Sequence, residues 1–393
     1  FFFYFSMSTL NYNIAIIGAG AAGLHLALAM HDDPYFSNKR ILILEKSAKD
    51  KNDRTWCFWE KGEGLWDNLI QHSWSRGNFF YKDNTVPLNL TPYRYKLLRS
   101  IDFYEFAKKK ITASSMFDWV EEDVQSVSNE SPIQINGLKT FYTAAIVFDS
   151  RIPNEFMKTQ DSYTRLLQHF KGWVIKTNYD AFDTDCFSMM DFRLVWPETT
   201  SFTYVLPLNK REAMVEFTLF TSSLLQKEDY ERMLKNYIND ILKIPAYEIV
   251  EQEQGVIPMS DFPFEKYSKG NHIRIGTGGG WVKPSTGYSF KNCERNARKL
   301  IANLKMNKPL NSGLLKRKSR IYDTLFLDVL YRQNYRGPAL FNTMYSKIPV
   351  QTIFAFLDDQ TTFKQDLFIM SRFPTKPFVF SILKKIAQRW KKF

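Results

Sequence analysis

The chain has 393 residues, with 53 Lys and Arg against 41 Asp and Glu, a formal net charge of +12. That length buries a sizeable core and predicts two domains, while the charge asks for an anionic partner, either nucleic acid or a membrane surface. No zinc-finger spacing, RNP motif or recognition-helix pattern accompanies it, which argues against nucleic acid, and 34 Phe within a 16% aromatic content favour lipid. Cys57, Cys186 and Cys293 lie too far apart for a metal motif, so no metal is expected, and they read as reduced, packed thiols of an intracellular protein.

In chain order, Phe1 to Phe5 are too few to span a membrane and lack a cleavage site. Residues 1–6 are therefore given no function, and Met7 is the expected start. Nowhere does the chain reach the roughly 18 uninterrupted apolar residues of a spanning helix. Tyr12 to Ile17 read as a buried strand, Leu24 to Met30 as an alanine-rich helix, and Lys39 to Leu44 as a second strand ending at Glu45. Between them lies Gly18-Ala-Gly20-Ala-Ala22-Gly23. In that setting Gly18 makes a tight turn, Gly20 lets backbone approach a pyrophosphate, and Gly23 lets helix pack on strand. The phosphates then sit on the free N–H groups of the helix N-terminus. Glu45, about 20 residues on, is placed to accept hydrogen bonds from a ribose, with Lys46 beside it.

The segment from about 155 to 270 alternates in the manner of an antiparallel sheet with few helix-like windows. Within it, Ser201 to Leu206 and Ala213 to Phe220 read as a hairpin around Asn209-Lys210-Arg211. Met214, Glu216, Thr218 and Phe220 share one face of its second strand. Both faces are largely apolar, so Glu216 is either a buried acid with a raised pKa or an exposed carboxylate paired with a cation such as Arg211. A second glycine-rich turn follows the short strand at Ile273 to Ile275, with Thr277, Gly278, Gly279 and Gly287 ahead of a helix from Phe290 to Leu304. A nicotinamide dehydrogenase has no use for this late cradle. An extended FAD does, so FAD is the expected cofactor. Where flavoproteins often carry an Asp after the first glycine, this chain has Thr277, whose hydroxyl reaches a ribityl oxygen without charge. Beyond about 325 the chain turns helical. Val379, Ile382, Leu383, Ile386, Trp390 and Phe393 form one apolar face of a last helix, with Lys384, Lys385, Arg389, Lys391 and Lys392 between them. A basic amphipathic helix of this kind suits an anionic bilayer surface, or packs on a core with its charges solvated.

The expected fold is therefore α/β. A Rossmann-like FAD-binding domain (11–155 and 270–325) is interleaved with an antiparallel substrate sheet (156–269) and a helical C-terminal region (326–393).

Seven segments carry a more specific signal. Arg54-Thr-Trp-Cys-Phe-Trp59, Leu166-Leu-Gln-His-Phe-Lys-Gly-Trp173 and Met190-Asp-Phe-Arg193 come first. Pro207-Leu208 with Met214-Val-Glu-Phe-Thr218, Gly255-Val-Ile-Pro-Met259, Lys283-Pro-Ser-Thr-Gly-Tyr288 and Phe356-Leu-Asp-Asp-Gln-Thr361 follow in order. Together they resemble the bacterial type of lycopene β-cyclase. The resemblance implies ring closure at the ends of lycopene, or a related acyclic carotenoid, to γ-carotene and β-carotene without net redox change. It implies FAD in its reduced form and NAD(P)H as reductant, and a lipid-dissolved substrate tips the basic last helix towards peripheral attachment of a cytoplasmic protein to the inner face of the membrane. It also favours Glu216 as the acid–base residue. The ordinary reading is an ion pair for Asp191 and Arg193 and a solvated or helix-start position for Asp358 and Asp359, and the resemblance makes all four candidates for the substrate pocket. Arg54 is expected to order the turn beside the cofactor, and His25 and His169 to be packed. A monooxygenase or polyprenyl reductase that uses FAD on a greasy substrate is the alternative.

Overall fold

The structure, a computed structural model, describes residues 10–128, 130–158 and 163–390. Its first sheet has seven strands, with Phe117–Glu121, Ile41–Glu45, Leu10–Ile17 and Phe141–Asp149 side by side and parallel. Ile133–Gly137 and Val124–Val127 extend it antiparallel, and His272–Arg274 adds a further parallel strand to Phe141–Asp149. Ile41 to Glu45 are all buried, as a central parallel strand covered on both faces requires. The first helix, Ala21–His31, packs against Phe290–Lys305 on one side of this sheet. The chain is thus mixed α/β with a Rossmann-type core and a helical C-terminal end.

A second seven-stranded sheet runs in the order Glu248–Ser260, Arg165–Lys176, Glu212–Thr221, Thr200–Pro207, Cys186–Asp191, Arg76–Tyr81, Asn84–Asn89. Its pairs are antiparallel except Cys186–Asp191 with Arg76–Tyr81. Residues 76–89 therefore pair in this sheet rather than in the first, although they lie within the 11–155 span. That reading also overlooked the helix Lys227–Asn236, which packs with Val215, Phe217 and Leu219 on one face. Met214 and Phe220 point to the other face, into a core with Phe202, Phe341 and the C-terminal helices. Each fully buried phenylalanine of that core contributes about 1.5–3 kcal/mol. A short sheet of Thr55–Lys61, Tyr93–Arg99 and His72–Trp74 bridges the two halves.

Five helices end the described chain, Arg317–Arg332, Gly337–Lys347, Val350–Leu357, Phe363–Arg372 and Thr375–Trp390. Among the described residues, no helix is long and apolar enough to cross a membrane. The last helix carries the expected amphipathic pattern with its faces exchanged. Lys384 and Lys385 turn inward to Asp328 (2.8 Å) and Asp261 (2.7 Å), while Val379, Ile382, Leu383 and Ile386 are exposed. Lys391, Lys392 and Phe393, like residues 1–6, lie outside the described residues.

Candidate active site

Gly20 caps the first helix with no side-chain hydrogen bond, and no acid occupies the first turn. The free N–H groups of the helix end, and the positive end of its dipole, open onto a cavity of about 460 Å³. A Cβ built on Gly20 meets no protein atom within 4 Å, whereas one on Gly23 would stand 2.0 Å from the Gly18 carbonyl oxygen. The glycine run thus pairs a packed turn with an open cradle. Arg54, Thr277 and Gly287 line the same cavity, as do Ala22 and Gly20. Gln168 faces it with its buried Oε1 unpaired, an acceptor that a bound N–H or O–H would satisfy. The residues present therefore fit a dinucleotide cofactor with its pyrophosphate on the helix end.

Other expected cofactor residues stand behind this surface. Glu45 braces the turn, its Oε2 accepting from the Ala19 N–H (2.7 Å) and its Oε1 from the Ser47 hydroxyl (2.8 Å). Gly18, Gly278 and Gly279 do not line the cavity. The last two are buried, and a Cβ on either would fall within 2.3 Å of the Arg151 or Arg274 carbonyl oxygen. Lys46 is exposed and away from the cavity, where its ammonium stays hydrated. The backbone N–H of Arg54 donates to Ser100 Oγ (3.0 Å), which ties its segment beside the cavity.

Glu216 lines the same cavity, and its strand-mate Thr218 donates to its Oε1 (2.8 Å). Arg211 does not reach it, pairing with Asp180 instead (3.0 Å). Glu216 keeps some accessible surface because it faces the cavity, but protein surrounds it elsewhere, and burial pushes its pKa above the usual carboxylate range. The negative charge of Glu253 adds to that shift. Glu253, which the sequence reading passed over, lines the cavity from the Glu248–Ser260 strand, one strand removed from that of Glu216. Its pKa is raised by burial too, and opposed by a hydrogen bond from Thr55 and the charge of Arg54. Alternation along this strand puts Glu251, Glu253 and Gly255 on one face, a signal available in the sequence.

A second cavity of about 290 Å³ is lined mainly by apolar side chains, among them Met190, Phe220, Phe326, Phe341 and Phe356. It shares Tyr204, Thr286 and Tyr288 with the cofactor cavity. Tyr204 stands directly opposite Glu216 in the strand register. Burial raises the pKa of both tyrosines, so they remain neutral rings at the junction. The arrangement offers an apolar chain a route to a proton-bearing acid beside a dinucleotide.

The four charged residues expected near a substrate line neither of these cavities. Asp191 is fully buried at a strand end and accepts from the Arg193 N–H (2.9 Å), the Arg193 guanidinium and the Tyr237 hydroxyl (2.6 Å). Asp358 and Asp359 line a third cavity of mixed polar and apolar surface, which shares Pro258, Thr277 and Val282 with the cofactor cavity. They follow the end of the Val350–Leu357 helix rather than opening one, so the dipole disfavours them and nearby donors compensate. Asp358 accepts from the Trp59 indole N–H (2.7 Å) and pairs with Arg295, and Asp359 pairs with the buried Lys283 (3.1 Å). Asp191 and Arg193 thus pair with each other, while Asp358 and Asp359 border a cavity next to that of the cofactor. His25 packs among Trp66, Phe103 and Phe290, and His169 lies between Thr221 and Tyr230, both as expected.

No curated protein matches the chain in sequence. Among solved structures, it is similar to a geranylgeranyl bacteriochlorophyll reductase-like protein from Thermoplasma acidophilum, at TM-score 0.59 and 13% identity over 92% of this chain and 96% of that one. A flavin-dependent brominase matches at TM-score 0.55 and 12% identity, over 96% and 99% of the two chains. A halogenase variant in complex with FAD matches at 0.54 and 12%, over 88% and 82%. At these identities the likeness speaks for the fold. Residues 13–383 match the family described as lycopene cyclase protein.

Proposed function

Because the chain belongs to the lycopene cyclase family, we propose that it closes β-rings on the ends of lycopene, or of a related acyclic carotenoid, with FAD bound along the first helix. The observation that carries this reading is Glu216, a carboxyl with a raised pKa that lines the dinucleotide cavity opposite Tyr204, a residue this cavity shares with the apolar one. Glu216 holds its proton near neutral pH and gives it to the terminal double bond. An inner double bond then closes the ring, leaving a carbocation beside the rings of Tyr204 and Tyr288. Their π-faces stabilise that charge without trapping it, and the apolar walls keep out water that would. Reduced FAD, with NAD(P)H as the source of its electrons, supplies an electron-rich ring that favours the cation. Loss of a ring proton completes an isomerisation.

The test is expression of the full chain in a lycopene-accumulating host, with the pigment separated and weighed by mass spectrometry. A cyclic product isomeric with lycopene is expected. A product heavier by two hydrogens or one oxygen would point to a reductase or monooxygenase.

We also propose that the protein works on the inner face of the membrane, docked through its last two helices. Phe363 (67% exposed), Leu367 and Met370 of one, with Phe380 and Leu383 (61%) of the other, form an outward apolar surface. Lys364, Arg372 and Lys376 lie exposed around it. Each such cation near an anionic leaflet adds about 1 kcal/mol, so binding to anionic vesicles is expected to weaken with salt. Truncation after Pro377, or Phe380→Asn with Leu383→Asn, should reduce co-sedimentation with the vesicles. Unchanged partitioning of both variants would place the anchor elsewhere.

A further inference from the structure

We propose that Glu253 is a second catalytic residue, resting on the cyclase reading: it takes up the proton that the new ring releases and returns it to Glu216 across Gly172. The register of three adjacent strands carries this. Gly172 of Arg165–Lys176 stands opposite Glu216 on one side and opposite Glu253 on the other. Residues in register across neighbouring strands project from the same face of a sheet, so both glutamates rise beside the bare glycine. A Cβ at position 172 would lie 3.5 Å from the Glu216 Cγ and 3.7 Å from the Glu253 Cγ. The two stems therefore border one gap, which a larger side chain would fill. Both residues line the cofactor cavity.

Their surroundings divide the roles. Thr218 holds Glu216 through Oε1, and Thr55 holds Glu253 through Oε2. Arg54 lies near Glu253 and favours its ionised form, and no cation acts comparably on Glu216. Other ionisable groups facing the pair are Glu251, itself bonded to Arg99, and the neutral Cys57, Tyr204 and Tyr288. The negative charge of Glu253 disfavours ionisation of Glu216, so the pair keeps one proton more readily than it ionises twice. Glu216 is then the acid and Glu253 the base, their environments setting them apart.

The proton balance closes. The terminal double bond supplies the electron pair for the new C–H bond to the Glu216 proton, and the inner double bond supplies the pair for the ring C–C bond. The electrons of a ring C–H bond become the ring's double bond, and that proton passes to the Glu253 carboxylate. Transfer from Glu253 to Glu216 restores both groups. Nothing is oxidised or reduced.

The experiment compares full-length wild type, Glu253→Gln and Glu253→Asp, each loaded with FAD and checked by flavin absorbance. Wild type should show a bell-shaped rate profile, falling at low pH as Glu253 protonates and at high pH as Glu216 ionises. Glu253→Gln should lose roughly 10–100-fold in rate. It should also lose the acid limb and shift the alkaline limb to lower pH, because the neighbouring charge that keeps the Glu216 proton is gone. Glu253→Asp should recover the acid limb. In parallel, the infrared band of the buried protonated carboxyl should titrate at lower pH in Glu253→Gln, a readout independent of turnover. A full rate in Glu253→Gln, or a lower rate with both limbs unmoved, would overturn the role, as would an unmoved band. A shifted band in a wild type that makes no cyclic product would sink the cyclase reading, and the base role with it.

Discussion

Glutamine in place of Glu216 is expected to leave a folded, flavin-loaded protein whose cyclisation falls by at least about 100-fold, the usual loss when a general acid is removed. The substitution keeps the side chain's shape and leaves the Thr218 hydroxyl a partner. It removes only the transferable proton. The variant also relieves a cost. A carboxyl whose folded pKa lies above its unfolded value of 4.5 destabilises the fold progressively as pH rises past that value. Glu216→Gln should therefore melt at or above the wild-type temperature at pH 8, which distinguishes lost chemistry from lost structure. Rates are read as cyclic product formed by detergent-solubilised lycopene assays, and stability by thermal melts. Near-normal turnover would remove Glu216 from the mechanism.

The second large effect is expected at Gly20. Its backbone lies in the extended region at φ −82°, which any residue adopts, and its missing Cβ points into open space. Gly20→Leu should thus fold as the wild type does, while its side chain occupies the place of the pyrophosphate. Flavin absorbance after reconstitution should vanish, and cyclisation with it. Circular dichroism should be unchanged. Gly23→Ala is the contrasting case, because its Cβ would collide with the Gly18 carbonyl and disturb the turn itself. Normal flavin loading in Gly20→Leu would mean that the cofactor lies elsewhere.

Local patterns made much of this legible in the sequence. The strand, glycine turn and helix around Gly18 to Met30 follow from a buried apolar run and three glycines at fixed spacing. The hairpin that carries Glu216 follows from alternation around Asn209-Lys210-Arg211, observed as Thr200–Pro207 and Glu212–Thr221. What local pattern cannot supply is the partner across space. Glu253 sits in a strand at the edge of its sheet that alternates charged and polar residues, as a solvated edge would. Only the register with Gly172 brings it to Glu216. Periodicity likewise found the last helix but not which face turns inward, since that depends on Asp328 and Asp261 awaiting Lys384 and Lys385. Asp358 and Asp359 take their partners, Trp59, Arg295 and Lys283, from distant segments that no local pattern connects to them.

The interleaving of the two sheets bears on how the chain reaches its native state. Arg76–Tyr81 waits for Cys186–Asp191, and the nucleotide-binding sheet lacks its last parallel strand until His272–Arg274 has been made. Between these pairings more than a hundred residues must leave the ribosome, and loop closure over such spans is slow. Each half therefore passes through synthesis with an open sheet edge, a hazard for association with other chains. Cutting the gene at residue 155 would not yield an autonomous flavin-binding fragment. It would leave Arg76–Asn89 without its sheet and Phe141–Asp149 without its parallel partner His272–Arg274, so the two sheets are made and engineered together.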